Sequence, residues 1–127
     1  MSEPTTCAAR CPHDDAYCDN CDRLVGLPGV HVIGVDRRPA GLVVEVESPP
    51  AMMGCPTCGV VARSHGRRTV SLVDIPCVGA PTRVRWGKRT WTCPEPSCPV
   101  GVFTEQDEQI AKPRAMLTTR ACRWATE

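Results

Sequence analysis

Two cysteine groups in this chain have the spacing that holds a metal. Cys55-Pro56-Thr57-Cys58-Gly59 is answered, after 34 intervening residues, by Cys93-Pro94-Glu95-Pro96-Ser97-Cys98-Pro99. Zinc prefers four tetrahedral ligands, with thiolate sulfurs about 2.3 Å from the ion. A C-x2-C turn sets two sulfurs on one side of it, and the wider C-x4-C pair closes the other. Gly59 suits a tight knuckle because glycine tolerates positive φ, and Pro56 and Pro94 pre-set φ after the first cysteine of each pair. Four thiolates leave no open position for a water, so this pattern predicts a structural zinc rather than a catalytic one.

Other cysteines carry weaker signals. Cys7, Cys11, Cys18 and Cys21 are spaced C-x3-C-x6-C-x2-C and form a candidate second metal site. Their loops are short and no glycine follows either pair, so a tail of free thiols is the alternative. Cys77 and Cys122 lack close partners and read as buried or free thiols. His13, His31 and His65 are too scattered for a catalytic set, and His31 is expected on the exposed side of its strand.

With 127 residues, ten of them cysteine, and only three Trp, one Tyr and one Phe, the chain can build one small domain with a thin core. Such domains need a metal or disulfides. Met1–Arg10 lacks the apolar segment of a secretory signal, and no stretch is long and apolar enough to span a membrane. The chain is therefore expected in the bacterial cytoplasm, where thiols stay reduced and paired cysteines bind metal.

Charge is uneven along the chain. The net is −4 over residues 1–48, +6 over 49–92 and −1 over 93–127. The positive segment lies between the two cysteine pairs and holds Arg63, His65, Arg67, Arg68, Arg83, Arg85, Lys88 and Arg89. An arginine-rich face on a small rigid module suits DNA phosphates, against the alternative of an ordinary solvated strand face. Trp86 and Trp91 read as core, with base stacking as the alternative. Glycine-rich phosphate loops, G-x-S-x-G and H-E-x-x-H are missing, so no enzyme is expected.

The elements that must position these residues are mostly strands. Residues 30–35 and 42–47 predict a β-hairpin around Arg37–Gly41, with Val44 and Val46 alternating against Glu45 and Glu47. Residues 60–64 and 67–75 predict strands after the first knuckle. Residues 76–81 predict a turn, and 82–86 with 88–92 a strand running into the second knuckle. Val102-Phe103 is expected to pack on that knuckle. Thr118 is a candidate N-cap for a short helix to Ala125.

These residues resemble the amino-terminal zinc-finger region of bacterial insertion-sequence transposases of the ISL-three type. The resemblance runs from about Leu24 to Trp124. It rests on Leu27-Pro28-Gly29-Val30, Cys55-Pro56-Thr57-Cys58-Gly59, His65-Gly66-Arg67-Arg68, Asp74-Ile75-Pro76-Cys77, Trp86-Gly87-Lys88-Arg89, Trp91-Thr92-Cys93-Pro94, Cys98-Pro99 and Phe103-Thr104-Glu105-Gln106. It implies Cys55, Cys58, Cys93 and Cys98 as zinc ligands and double-stranded DNA at the transposon's terminal inverted repeats as partner. Self-association, or association with a full-length transposase, is a further implied partnership. The family's DDE nuclease domain does not follow, which implies a truncated or decayed copy without transposase activity.

The expected fold is thus mainly β (small α+β): a zinc-ribbon-like antiparallel β domain with a β-hairpin before it and a short C-terminal helix. Residues 1–23 are expected as a Cys-rich tail, 24–112 as the DNA-binding domain and 113–127 as the start of a helical segment. A protein–protein interaction module, or a remnant without function, is the alternative.

Overall fold

The structure, a computed structural model, describes residues 17–49, 51–77 and 79–126. Its elements run α1 (Asp19–Val25), β1 (His31–Arg38), β2 (Gly41–Glu47), β3 (Arg63–Cys77), β4 (Ala80–Thr92), β5 (Val102–Thr104) and α2 (Thr119–Thr126). The strands form one sheet in the order β1-β2-β4-β3, with β5 added to β4. None of the helices described is long and apolar enough to cross a membrane.

The hairpin predicted from alternation is present, the strands predicted on either side of residues 76–81 form a second, and the mainly β fold is as expected, with one parallel pairing joining the two hairpins. β4 lies between β3, which it pairs antiparallel, and β2, which it pairs parallel from Leu42↔Thr82 to Glu47↔Gly87. The first hairpin is therefore part of the same sheet as the second. The segment between β2 and β3, which carries Cys55 and Cys58, is the crossover that makes the parallel pairing possible. The two hairpin ends meet closely. Gly41, at φ 141°, lies against Pro81, and a Cβ there would stand 2.2 Å from the Pro81 carbonyl oxygen, so only glycine fits.

Register decides which side chains share a face. Val44, Val84 and Leu72 align across three strands, as do Val46, Trp86 and Val70. They form the core face with Val32, covered by Leu27, Val30, Ile110 and Ala111, while Cys21 and Val25 of α1 pack against the margin. Trp86 is fully buried, and its indole N–H donates to Ser48 Oγ at 3.1 Å. Trp91 is buried too, so both tryptophans are core, and Trp91 Nε1 has no hydrogen-bond partner among the described residues.

Sequence periodicity did not indicate α1. It is seven residues long, and its N-cap Cys18 makes no side-chain capping bond. A helix this short depends on tertiary contacts, and Asp22 supplies them. Its Oδ1 accepts the Val32 N–H at 2.7 Å, and its Oδ2 lies 2.7 Å from His31 Nδ1. His31 does point away from the core, but Tyr17 stacks on its ring at 3.9 Å and leaves it half-covered.

At the other edge, Val73 of β3 hydrogen-bonds both Met116 and Thr118 and so pairs residues 116–118 alongside the strand. Thr118 is the predicted N-cap: its Oγ1 accepts the Ala121 N–H at 3.2 Å. The same hydroxyl donates to Asp74 Oδ1 at 2.7 Å. Arg120 grips both oxygens of Asp74, through Nε at 2.9 Å and Nη2 at 2.6 Å, and its Nη1 donates to the Val25 carbonyl at the end of α1. The Asp74 side chain is only 1% exposed. Burial alone would raise its pKa, but the hydrogen bonds from Arg120 and Thr118 outweigh that and hold it below the usual carboxylate value.

Breaking such a pair strands a buried charge. Arg120→Ala is expected to destabilise the zinc-loaded protein by about 3 kcal/mol in chemical denaturation. Because the folded-state pKa of Asp74 is depressed, its contribution is complete above about pH 4 and fades as pH falls further. Asp74→Asn should flatten that acid limb relative to wild type when both are followed by circular dichroism.

Candidate metal centre and arginine face

Two tight turns build the metal centre. In the first, the Gly59 N–H bonds the Cys55 carbonyl at 2.9 Å and the Cys55 N–H bonds Val60 at 2.8 Å, with Gly59 at φ 76° as its position requires. In the second, Cys93 N–H bonds Gly101 at 2.9 Å and Cys98 N–H bonds Glu95 at 3.1 Å, while Ser97 Oγ donates to Glu95 Oε1 at 2.9 Å. The long β3–β4 hairpin carries the first turn back beside the second, and β5 pairs with β4 next to both.

All four sulfurs lie within 4.8 Å of one another. Cys55 and Cys98 Sγ are 3.7 Å apart, and Cys58 and Cys93 Sγ are 3.6 Å apart. A tetrahedron with Zn–S bonds near 2.3 Å has sulfur–sulfur edges of roughly 3.8 Å. The donor set and its dimensions therefore fit Zn2+.

Ionisation of the thiols points the same way. Backbone N–H groups of Cys58 and Thr57 draw the Cys55 thiol down to about 6. Cys93 receives a backbone N–H from Glu95, but burial and its three thiol neighbours push it up to about 12; the N–H of Val100 favours the Cys98 thiolate, but burial, Cys55 and Cys58 raise that thiol above its ordinary value. One sulfur ionises readily and its neighbours then resist. Only a cation at the centre lets all four become thiolates.

Residues 52–98 match the family model of the zinc-finger of transposase IS204/IS1001/IS1096/IS1165. Over this segment the chain is similar to that transposase zinc-finger family. The zinc ribbon so defined holds all four cysteines and both long strands. No curated protein and no solved structure matches the chain.

The other cysteines divide differently. Cys7 and Cys11 lie outside the described residues. Cys18 is the buried N-cap of α1 and Cys21 is half-buried within it. Cys77 is half-buried at the end of β3, and Cys122 is exposed on α2.

The eight basic residues of the ribbon do not share one face. Arg83, Arg85 and Arg89 follow one another on the side of β4 opposite Val84 and Trp86, and Arg67 pairs with Arg89 across the strands. Two of these cations are met by acids from the parallel neighbour β2. Arg85 Nη1 bonds Glu45 Oε1 at 2.9 Å, and Arg67 Nη2 lies 3.7 Å from Glu47 Oε2. Arg67 also donates to the carbonyls of Gly87 and Ser48, and Arg89 Nε donates to Pro49. Lys88 is turned to the core side and is 6% exposed. Its Nζ bonds Gln106 Oε1 at 2.8 Å and lies 4.6 Å from the Trp86 ring centre, and burial holds its pKa below the usual lysine value. Arg63, His65, Arg68 and Arg83 are exposed.

Two residues beside this face were not singled out by the sequence. Arg38 comes from the first hairpin and Trp124 from α2, and both border the same groove as Arg83. The dipeptide Arg37-Arg38 in a turn was the signal for one of them; nothing local marked the indole.

Cys58→Ser and Cys93→Ser are each expected to remove one zinc equivalent per chain and to lose the β signature in circular dichroism. Wild type loaded with Co2+ should show the visible d–d and thiolate charge-transfer bands of a tetrahedral four-sulfur site. Because binding displaces thiol protons, metal affinity should fall as pH is lowered, and loading should release protons measurable with an indicator dye.

Proposed function

We propose that this chain acts as the zinc-stabilised DNA-binding module of an insertion-sequence transposase, docking on the terminal inverted repeats of the element in the bacterial cytoplasm. The observation that carries this reading is the arginine column of β4. Arg83, Arg85 and Arg89 project from one face of the central strand, at intervals of about 7 Å or twice that. Strands on both sides and the cysteine cluster at the end of the hairpin hold that column rigid, so phosphate binding costs little ordering.

Glu45 and Glu47 do not cancel the reading, but they divide the labour. Arg85 and Arg67 are oriented by their acidic neighbours, whereas Arg83, with Arg63, His65 and Arg68 at the β3 edge, is exposed for contact. Phosphate contacts set position and affinity; they do not read base sequence. Recognition of an inverted repeat therefore rests on further contacts, or on association with a second copy or a full-length transposase.

A second reading, a protein-interaction module, draws on a separate observation: Val60, Val61 and Val102 flank the cysteine turns and are exposed. Salt titrations separate the two. For each phosphate that the protein no longer neutralises, the slope of log K against log salt becomes shallower by about 0.9. Arg83→Ala with Arg85→Ala, both on the β4 column, should weaken binding to an inverted-repeat duplex and reduce that slope by up to about 2. Lys88→Ala should reduce thermal stability and leave the slope as it is. An unchanged affinity and slope in the double arginine variant would favour the interaction module.

A further inference from the structure

A groove of about 600 Å³ lies where the two hairpin ends meet α2, on the arginine side of the sheet. It is lined by apolar Val43, Val73 and Pro81, by the cationic Arg38 and Arg83, and by Trp124. This volume is in the range of small-ligand sites. We infer that the groove receives an unpaired nucleobase together with its phosphate, so that the chain binds DNA with a single-stranded or frayed end more tightly than blunt duplex. The inference rests on the DNA-binding reading above and adds the form of DNA to it.

Three observations support a base rather than another occupant. The first is the indole. Trp86 and Trp91 are 0% and 4% exposed, whereas Trp124 is 61% exposed. An exposed indole lining a groove with apolar side chains offers a stacking surface, and stacking on such a surface is worth about 1–3 kcal/mol per base. The second is charge. Asp74 also borders the groove, but its carboxylate is buried and held by Arg120 and Thr118. Arg38 directs its Nε to Asp36, while Arg83 has no ion-pair partner among the described residues. The mouth is therefore cationic and suits a phosphate. The third is continuity: Arg83 begins the column that runs through Arg85 to Arg89, so a strand tracking that column ends at the groove.

The groove is also preformed. The close approach of Gly41 to Pro81 fixes part of its lining. Trp124 follows Arg120 by four residues and shares its side of α2. The grip of Arg120 on Asp74 therefore aims the indole as well.

The test compares three DNAs in fluorescence anisotropy at one salt concentration: a blunt inverted-repeat duplex, the same duplex with a four-nucleotide unpaired tail, and a short single strand. Tryptophan emission is read in parallel, since Trp124 is the exposed indole among the three. The tail should tighten binding about 5- to 100-fold, and the single strand should quench emission. Trp124→Ala should abolish the tail preference while leaving blunt-duplex affinity within about twofold, with zinc content unchanged, and Trp124→Phe should keep most of the preference. Blunt-duplex binding with no gain from the tail, or an equal weakening on both DNAs in Trp124→Ala, overturns this inference alone. Absence of binding to all three DNAs overturns the DNA-binding reading with it. Quenching by a polyglutamate peptide as strong as by the single strand overturns the base in favour of an acidic protein partner.

Discussion

Four thiolates around one divalent cation are the constraint on which this structure depends. Without the ion, the cluster resists ionisation, because each thiolate formed raises the cost of the next. With it, residues 55–58 and 93–98 are tied together, and the chain between them must return on itself. A 15-residue strand and a 13-residue strand make that return. The core they build is thin, with Trp86 at its centre and Trp91 as its other buried aromatic. In such a domain the free energy of metal binding is a major part of the free energy of folding.

The opposite end of the hairpin has its own lock. Asp74, Thr118 and Arg120 join β3, the start of α2 and the end of α1 through one buried carboxylate. Zinc closes one end of the β3–β4 ladder and this ion pair closes the other. Between them β4 is flanked along its length, first by β2 and then by β5 on one side, and by β3 on the other. An arginine on such a strand has a fixed backbone beneath it, which an arginine on a loop does not.

Parallel pairing of β2 with β4 also sets the electrostatics. It places Glu45 opposite Arg85 and Glu47 opposite Gly87, within reach of Arg67. A segment with a net charge of +6 in sequence is thereby met by acids from a segment with a net charge of −4. The face keeps its cationic character chiefly at Arg83 with Arg38 beside the groove, while Arg63, His65 and Arg68 are exposed on β3, with Arg68 in register with the inward-turned Lys88.

Much of this was legible without coordinates because it is local. The C-x2-C and C-x4-C spacings name a metal whose ligand geometry is the same in any fold. Alternation along Leu42–Glu47 and Thr82–Trp86 names strands and their inner faces, because side chains alternate across a strand whatever lies beside it. Thr118 names a helix start through its own hydroxyl. What sequence could not supply concerns partners distant in the chain. The helix α1 exists because Asp22 finds His31 and Val32; Lys88 turns inward because Trp86 and Gln106 are there to receive it; Trp124 lines a groove with Arg38 and Arg83 because α2 docks at the β3 edge, where Arg120 reaches Asp74. Each of these depends on strand order, and strand order was decided by which edge of β4 accepted β2, a choice made by packing in three dimensions and written in no single stretch of residues.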